Sequence, residues 1–231
     1  MKKRKPGKVL NFLVNALLVG LIAALYLVTS KPSAQAAMAQ AYGSPVYRGQ
    51  ATDKAALQFT VSWNAQALES ILDTLKANDT RATFAVSGMW AEENPELCKR
   101  IFDEGHELAT MGYDVQHDGR LSWVTEDVRK SLEVIESVCG ATVSLYYSGD
   151  RNLAVSSGAA QTLGLTHVLC TVDLLCARGS AEDILSRALQ NPIEGSIMLM
   201  QPTAAAAQAL EGLIQAYQEK GIRLTATADV L

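Results

Sequence analysis

Two apolar periods run along this chain, and the way they alternate predicts its architecture. From Val9 to Val28 the twenty positions are apolar except Asn11, Asn15 and Gly20, long enough as a helix to cross a bilayer core of about 30 Å. Residues 30–53 then lose any apolar period and are rich in Ala, Ser, Gln, Gly and Pro, the composition of a tether. Beyond them, short β-branched and aromatic runs alternate with segments of helical spacing. Strands are predicted at 55–61, 83–87, 107–111, 142–147, 167–172, 197–200 and 222–227. Helices are predicted at 65–77, from Pro95 to a stop at Gly105, and at 125–138, 156–163, 180–189 and 204–220. Local chemistry supports these limits. Asn94-Pro95 pairs a capping side chain with a first-turn proline, and Ser180-x-x-Asp183 reads as a capping box with Asp in place of Glu.

Seven strands alternating with helices imply parallel pairing and right-handed crossovers, which leaves an α/β doubly wound sheet or a barrel. Periodicity does not choose between them. In both, ligands sit beyond the carboxyl ends of the strands, so candidate chemistry is sought there.

Charge narrows the partners. The net charge of −4, with no basic stripe after residue 54, excludes a nucleic-acid-binding surface. Five of the first eight residues are cationic, which keeps that end cytoplasmic and exports the C-terminal remainder of the chain. The predicted organisation is a basic cytoplasmic tail at 1–8, a transmembrane anchor or signal segment at 9–28, a tether at 29–53 and one domain at 54–231. Twenty apolar positions favour an uncleaved anchor, while Ala34-Gln-Ala36 and Ala39-Gln-Ala41 would suit cleavage. The expected location is the cell membrane, single-pass, with the C-terminal domain extracytoplasmic. The four cysteines match no zinc spacing. Cys98 and Cys139 fall on apolar helix faces as free thiols, and Cys170 and Cys176 are either free or bridged.

Three stretches carry a family resemblance: Ala55-Ala-Leu-Gln-Phe-Thr-Val-Ser-Trp63, Gly105-His-Glu-Leu-Ala-Thr-Met111 and Gly195-Ser-Ile-Met-Leu-Met-Gln201, supported by Arg81-Ala-Thr-Phe-Ala-Val86. Together they resemble the polysaccharide deacetylases, the NodB homology domain or carbohydrate esterase family four. Pro45-Val-Tyr-Arg-Gly49 with Trp63 is most similar to the membrane-anchored subgroup of endospore-forming bacteria. The resemblance implies a distorted (β/α) barrel of about seven parallel strands. It also implies metal-dependent removal of acetyl groups from N-acetylated glycan, with zinc or another divalent ion held by one Asp and two His.

The residues aligned with that chemistry differ from the family pattern. The base and ligand aspartates fall on Thr60 and Val61, the two histidines on Met111 and Val115, the arginine on Leu145 and the final histidine on Gln201. Asp173 is the one acidic position of the pattern that survives. The expectation is therefore a domain without an intact catalytic set and without a bound metal. Asp114 and His117 form an alternative metal pair three residues apart. Trp63, Tyr113, Tyr146, Tyr147 and Asp173 are the substrate-cleft candidates, an aromatic face suiting a sugar ring or packing equally well. Ser62 and Ser148 lack an evident histidine partner, and His106 and His167 read as structural. Three functions remain open: an inactive deacetylase-like protein that binds cell-wall glycan or scaffolds, an active deacetylase, or a protein-interaction module.

Overall fold

A computed structural model describes residues 8–29, 43–63, 65–115, 119–149, 151–190 and 193–231. The N-terminal helix α1 spans Lys8–Thr29. Its described side chains, among them Phe12, Leu17, Val19, Ile22 and Tyr26, are exposed. Counted over the described residues, no helix is long and apolar enough to cross a membrane.

Beyond α1, strands and helices alternate as predicted. In chain order they are β1 Lys54–Val61, α2 Leu68–Ala77, β2 Thr83–Val86, α3 Gly88–Glu93, α4 Pro95–Asp103, β3 Glu107–Thr110, α5 Leu121–Cys139 and β4 Leu145–Tyr147. Then come α6 Leu153–Leu163, β5 Thr166–Val168, β6 Val172–Asp173, α7 Ala181–Gln190, β7 Ile197–Met200, α8 Ala204–Glu219 and β8 Arg223–Thr225. Among the described residues the named strands all pair in parallel, in the order β5-β4-β3-β2-β1-β7-β6, with β8 beside the start of β1. The sheet is an α/β half-barrel, and its strands are apolar on both faces because helices cover one side and the barrel interior lies on the other.

Local sequence explains the limits. Burying Leu68, Ile71, Leu72 and Leu75 fixes the inner face of α2, each side chain contributing about 2 kcal/mol by leaving water. Ser180 and Asp183 cap α7 reciprocally, the Ser180 N–H donating to Asp183 Oδ2 at 2.9 Å and the Asp183 N–H to Ser180 Oγ at 3.2 Å. Helix α3 has no counterpart in the periodicity; it forms because the Ser87 hydroxyl accepts from the Trp90 N–H. Helix α5 starts four residues earlier than predicted, at Leu121.

The strand predicted at 167–172 is divided in two, for a reason that lies in closure of the barrel. β5 ends paired with β4 at one edge, and residues 169–171 carry the chain over the seam to β6, which pairs with β7 at the other. The gap is filled by residues expected in the tether. Val46 bridges Val168, its N–H donating to the His167 carbonyl and its own carbonyl accepting from Leu169, both at 2.8 Å. Arg48 bridges Ser196, and the Gly49 N–H donates to the Gly195 carbonyl at 2.7 Å. The tether predicted to reach residue 53 thus ends before Val46, because a strap of β geometry satisfies edge groups that the seam would leave open. Gly49 is required there, since a Cβ would sit 2.0 Å from the Val230 carbonyl oxygen. Gly49→Ala is expected to cost about 2–3 kcal/mol by overpacking against backbone, read as a lower urea midpoint; an unchanged midpoint would show that the strap is not held.

Candidate functional site at the barrel mouth

Strand alternation decides which residues face the mouth. Leu57, Phe59, Val61, Phe84, Val86, Leu108, Met198 and Met200 pack with the helices in one large cluster. Ala85, Ala109, Leu145, Tyr147, Val168 and Leu199 form a second cluster on the inside of the curved sheet, with Met111 against it. Register pairs Thr60 with Ala85 and Phe59 with Met200, so Thr60 and Gln201 share the inner face at the carboxyl end. Val61 faces the other way, into the helix-side core, and is fully buried. Leu145 lies inside but two residues below the mouth, since Thr110 pairs with Tyr146.

The structure thus brings Thr60, Met111 and Gln201 to one rim and leaves Val61 out of it. The donors they offer are a hydroxyl, a thioether and an amide. The Thr60 hydroxyl points at the Met200 carbonyl at 3.5 Å. Asp173 aligns with Leu199 on the inner face, but its Oδ1 accepts the Leu175 N–H at 2.8 Å, holding Leu175 at a φ of 52°. Zinc requires thiolate, imidazole or carboxylate ligands. This set does not fit it. Among the described residues no group of three or more His, Cys, Asp or Glu converges on a metal-sized site. Asp114 lies in the turn after β3, its N–H donating to Asp127 Oδ1 at 3.0 Å. His117 lies outside the described residues.

Two residues that the sequence did not single out hold this rim in shape. Asp127 accepts the N–H groups of both Tyr113 and Asp114 at 3.0 Å. Arg151 donates from Nη2 to the Met111 carbonyl at 2.5 Å and from Nε to the Ser148 carbonyl at 2.8 Å. Gly112, at a φ of 89°, lets the turn close onto Asp127; a Cβ there would lie 2.3 Å from the carboxylate. A helix beginning at Thr125 would put Asp127 in its first turn. With α5 beginning at Leu121, Asp127 sits one turn deeper and faces the turn.

The aromatic candidates separate. Trp63, at the end of β1, is 67% exposed and open to a ligand. Tyr146 and Tyr147 are buried, Tyr146 stacking on His167 at 5.4 Å; both are packing residues, not a sugar platform. Tyr113 turns away from the mouth toward α3 and α5, its hydroxyl donating to Glu92 at 2.7 Å and the Lys130 ammonium lying 3.3 Å from its ring centroid. There it joins Met89, Trp123 and Glu126 in lining an open groove of about 580 Å³. Periodicity gave no hint of that groove, because its residues come from three elements.

His106 and His167 are structural, with one correction. His106 accepts the Ala82 N–H at Nδ1, 3.3 Å, and burial, with Arg81 and Arg100 opposing Glu104, pulls its pKa down to about 4. His167 likewise falls to about 4, through burial and then Arg151. Ser148 does have a histidine partner: its Oγ is 2.8 Å from His167 Nε2, while Ser157 Oγ is 2.9 Å from Nδ1. Ser148 is only 2% exposed, so the pair is a buried polar link and not a reachable nucleophile. Cys170 and Cys176, the candidate bridge, are both free thiols.

Residues 48–168 match the polysaccharide deacetylase family model. The chain belongs to the polysaccharide deacetylase family. It is 31% identical over 194 residues to the uncharacterized protein YlxY of Bacillus subtilis, a match covering 81% of this chain and 60% of that protein's length. It is 28% identical over 182 residues to a peptidoglycan-N-acetylglucosamine deacetylase of Bacillus cereus, covering 73% of this chain and 64% of that one. A solved structure of a carbohydrate esterase family four pseudoenzyme from Bacillus anthracis superimposes with a TM-score of 0.74 at 26% identity, covering 81% of this chain and 68% of the other. The polysaccharide deacetylase fold is thus kept over most of the chain, while Thr60, Met111 and Gln201 at its rim are neutral.

Proposed function

We propose that this polysaccharide deacetylase-family protein is a membrane-anchored, extracytoplasmic pseudoenzyme that binds N-acetylated cell-wall glycan without cleaving it. One observation carries the reading. Thr60, Met111 and Gln201 converge where the strand ends meet, and none supplies an imidazole or a carboxylate. Without such donors no water is acidified and no acyl carbon is polarised. Exposed Trp63 at the same rim offers a face for a pyranose. The similarity to a peptidoglycan-N-acetylglucosamine deacetylase suggests the glycan class. The mostly apolar run Val9–Val28, with five cations among the first eight residues, is the sequence feature that supports anchoring.

The test combines two measurements on the purified protein. Incubation with chitooligosaccharide or peptidoglycan and each divalent metal is expected to release no acetate, while the protein co-sediments with insoluble wall and Trp63→Ala weakens that binding. Metal-dependent acetate release, abolished by His117→Ala, would establish the active enzyme instead. Absence of wall binding would leave a protein-interaction module.

A further inference from the structure

The open groove beside the rim plays no part in the binding argued from Trp63. Its walls are Met89 from α3, Tyr113 from the turn after β3, and Trp123, Glu126 and Lys130 from α5, around about 580 Å³. Trp123 is 53% exposed although Arg120 lies over its ring at 5.2 Å, so an indole meets water on a helix whose other side buries Val124 and Val128. The groove continues the rim. β1, β2 and β3 are neighbours, and their pairing runs on past the strand ends. The Ser87 N–H donates to the Val61 carbonyl, the Gly88 N–H to that of Gly112 and the Met89 N–H to that of Tyr113, at 3.0, 3.0 and 3.1 Å. The chain leaving β1 toward Trp63 and the chain leaving β3 toward Tyr113 are thus two strand spacings apart, about 10 Å. One oligosaccharide can lie across both.

Charge selects the occupant. Glu126 is ion-paired with Arg129, and the Lys130 ammonium sits 3.3 Å from the Tyr113 ring centroid. The Tyr113 hydroxyl donates to Glu92, and Asp127 accepts two backbone N–H groups. These charges thus have counterparts within the protein, and an ionic occupant would have to break one of those contacts. An uncharged polyhydroxyl ring needs no counter-ion. It lays an apolar face on the indole, while the Glu126 carboxylate, on a side chain 66% exposed, accepts from its hydroxyls and the three-proton Lys130 ammonium donates to its oxygens. We propose that the groove is a second saccharide subsite, in which one sugar of the glycan held at Trp63 stacks on Trp123. The proposal rests on the glycan-binding reading above and deepens it: the ligand is a run of sugars lying across the ends of β1, β2 and β3, not a single unit.

Chitobiose and chitohexaose separate the two subsites on the full chain in detergent. Chitohexaose is expected to bind Trp123→Ala about tenfold more weakly than the parent, chitobiose to bind both alike, and Trp63→Ala to lose affinity for each. Trp123→Phe, which keeps an aromatic face, should recover most of the loss. A second readout leaves the groove unchanged. In Trp63→Phe, Trp123 is the remaining exposed indole, since Trp90 is only 4% exposed, and chitohexaose should shield it from acrylamide quenching. Equal chitohexaose binding by parent and Trp123→Ala, or quenching that bound chitohexaose leaves unchanged, would overturn the subsite and leave glycan binding at Trp63 in place. A loss in Trp123→Ala confined to peptide-bearing peptidoglycan would assign the groove to the peptide and overturn it too. If the parent binds neither oligosaccharide, the glycan-binding reading itself falls, and this subsite with it.

Discussion

Replacing Thr60 with Asp, Met111 and Val115 with His, and Gln201 with His is expected to give the domain a zinc site of about 0.1 μM or tighter. Three of these four side chains, the carboxylate at position 60 standing in for the ligand aspartate that the resemblance puts at Val61, should approach the ~10 kcal/mol at the lower end of apparent zinc-site energies. Three of the four positions follow from the packing, and Val115 follows from the resemblance. Thr60 and Gln201 share the inner face at the rim, and Met111 packs against the inner cluster, so imidazole and carboxylate placed there face one another. Val61 must stay as it is. It is fully buried in the helix-side core, where an aspartate would be an unpaired charge costing several kcal/mol. Asp127 and Arg151 already fix the turn that would bear the two histidines, so the backbone needs little reorganisation. Zinc content after dialysis, and acetate release from chitooligosaccharide, check the result. If the quadruple variant folds but retains no more zinc than the parent, the rim is not the degenerate counterpart of the family's metal site.

Lowering the pH from 7.5 to 5 is expected to destabilise the domain by about 2 kcal/mol for each of two buried imidazoles. His106 and His167 both have folded-state pKa values lowered from 6.5 to about 4, in each case chiefly by burial. The unfolded chain therefore binds more protons than the folded one between about pH 6.5 and 4. Stability is fully present above that window and is lost as the pH falls through it. The structure shows why neither ring accepts a second proton readily. His106 Nδ1 is already an acceptor for the Ala82 N–H and its ring meets the edge of Phe84 at 5.2 Å. His167 is held between two serine hydroxyls with the Arg151 charge near. Urea midpoints measured at pH 7.5, 6 and 5 provide the check, and His106→Asn, which keeps an acceptor without a titrating ring, should remove about half of the loss. A midpoint that stays constant to pH 5 would mean that both rings protonate freely in the folded state.

The order of strands and helices, and most of their limits, could be read from the chain alone. The 3.6-residue spacing of Leu68, Ile71, Leu72 and Leu75, the Asn94-Pro95 start and the Ser180–Asp183 cap are local chemistry, and local chemistry survives in any tertiary setting. Thr60, Met111 and Gln201, which the resemblance singled out, lie at the carboxyl ends of β1, β3 and β7. Four things were decided only by tertiary contact. Val46 to Gly49 has a tether's composition, yet the open seam between β5 and β7 recruits it as a strap. Residues 167–172 read as one strand, yet crossing that seam divides them. The parity of β1 puts Val61 in the core and Thr60 on the rim, although the two are adjacent in sequence. Asp127 and Arg151 act across elements, holding the Tyr113 and Asp114 amides and the Met111 carbonyl. Periodicity reports which face of an element is apolar, and it carries no information on which distant element will cover that face.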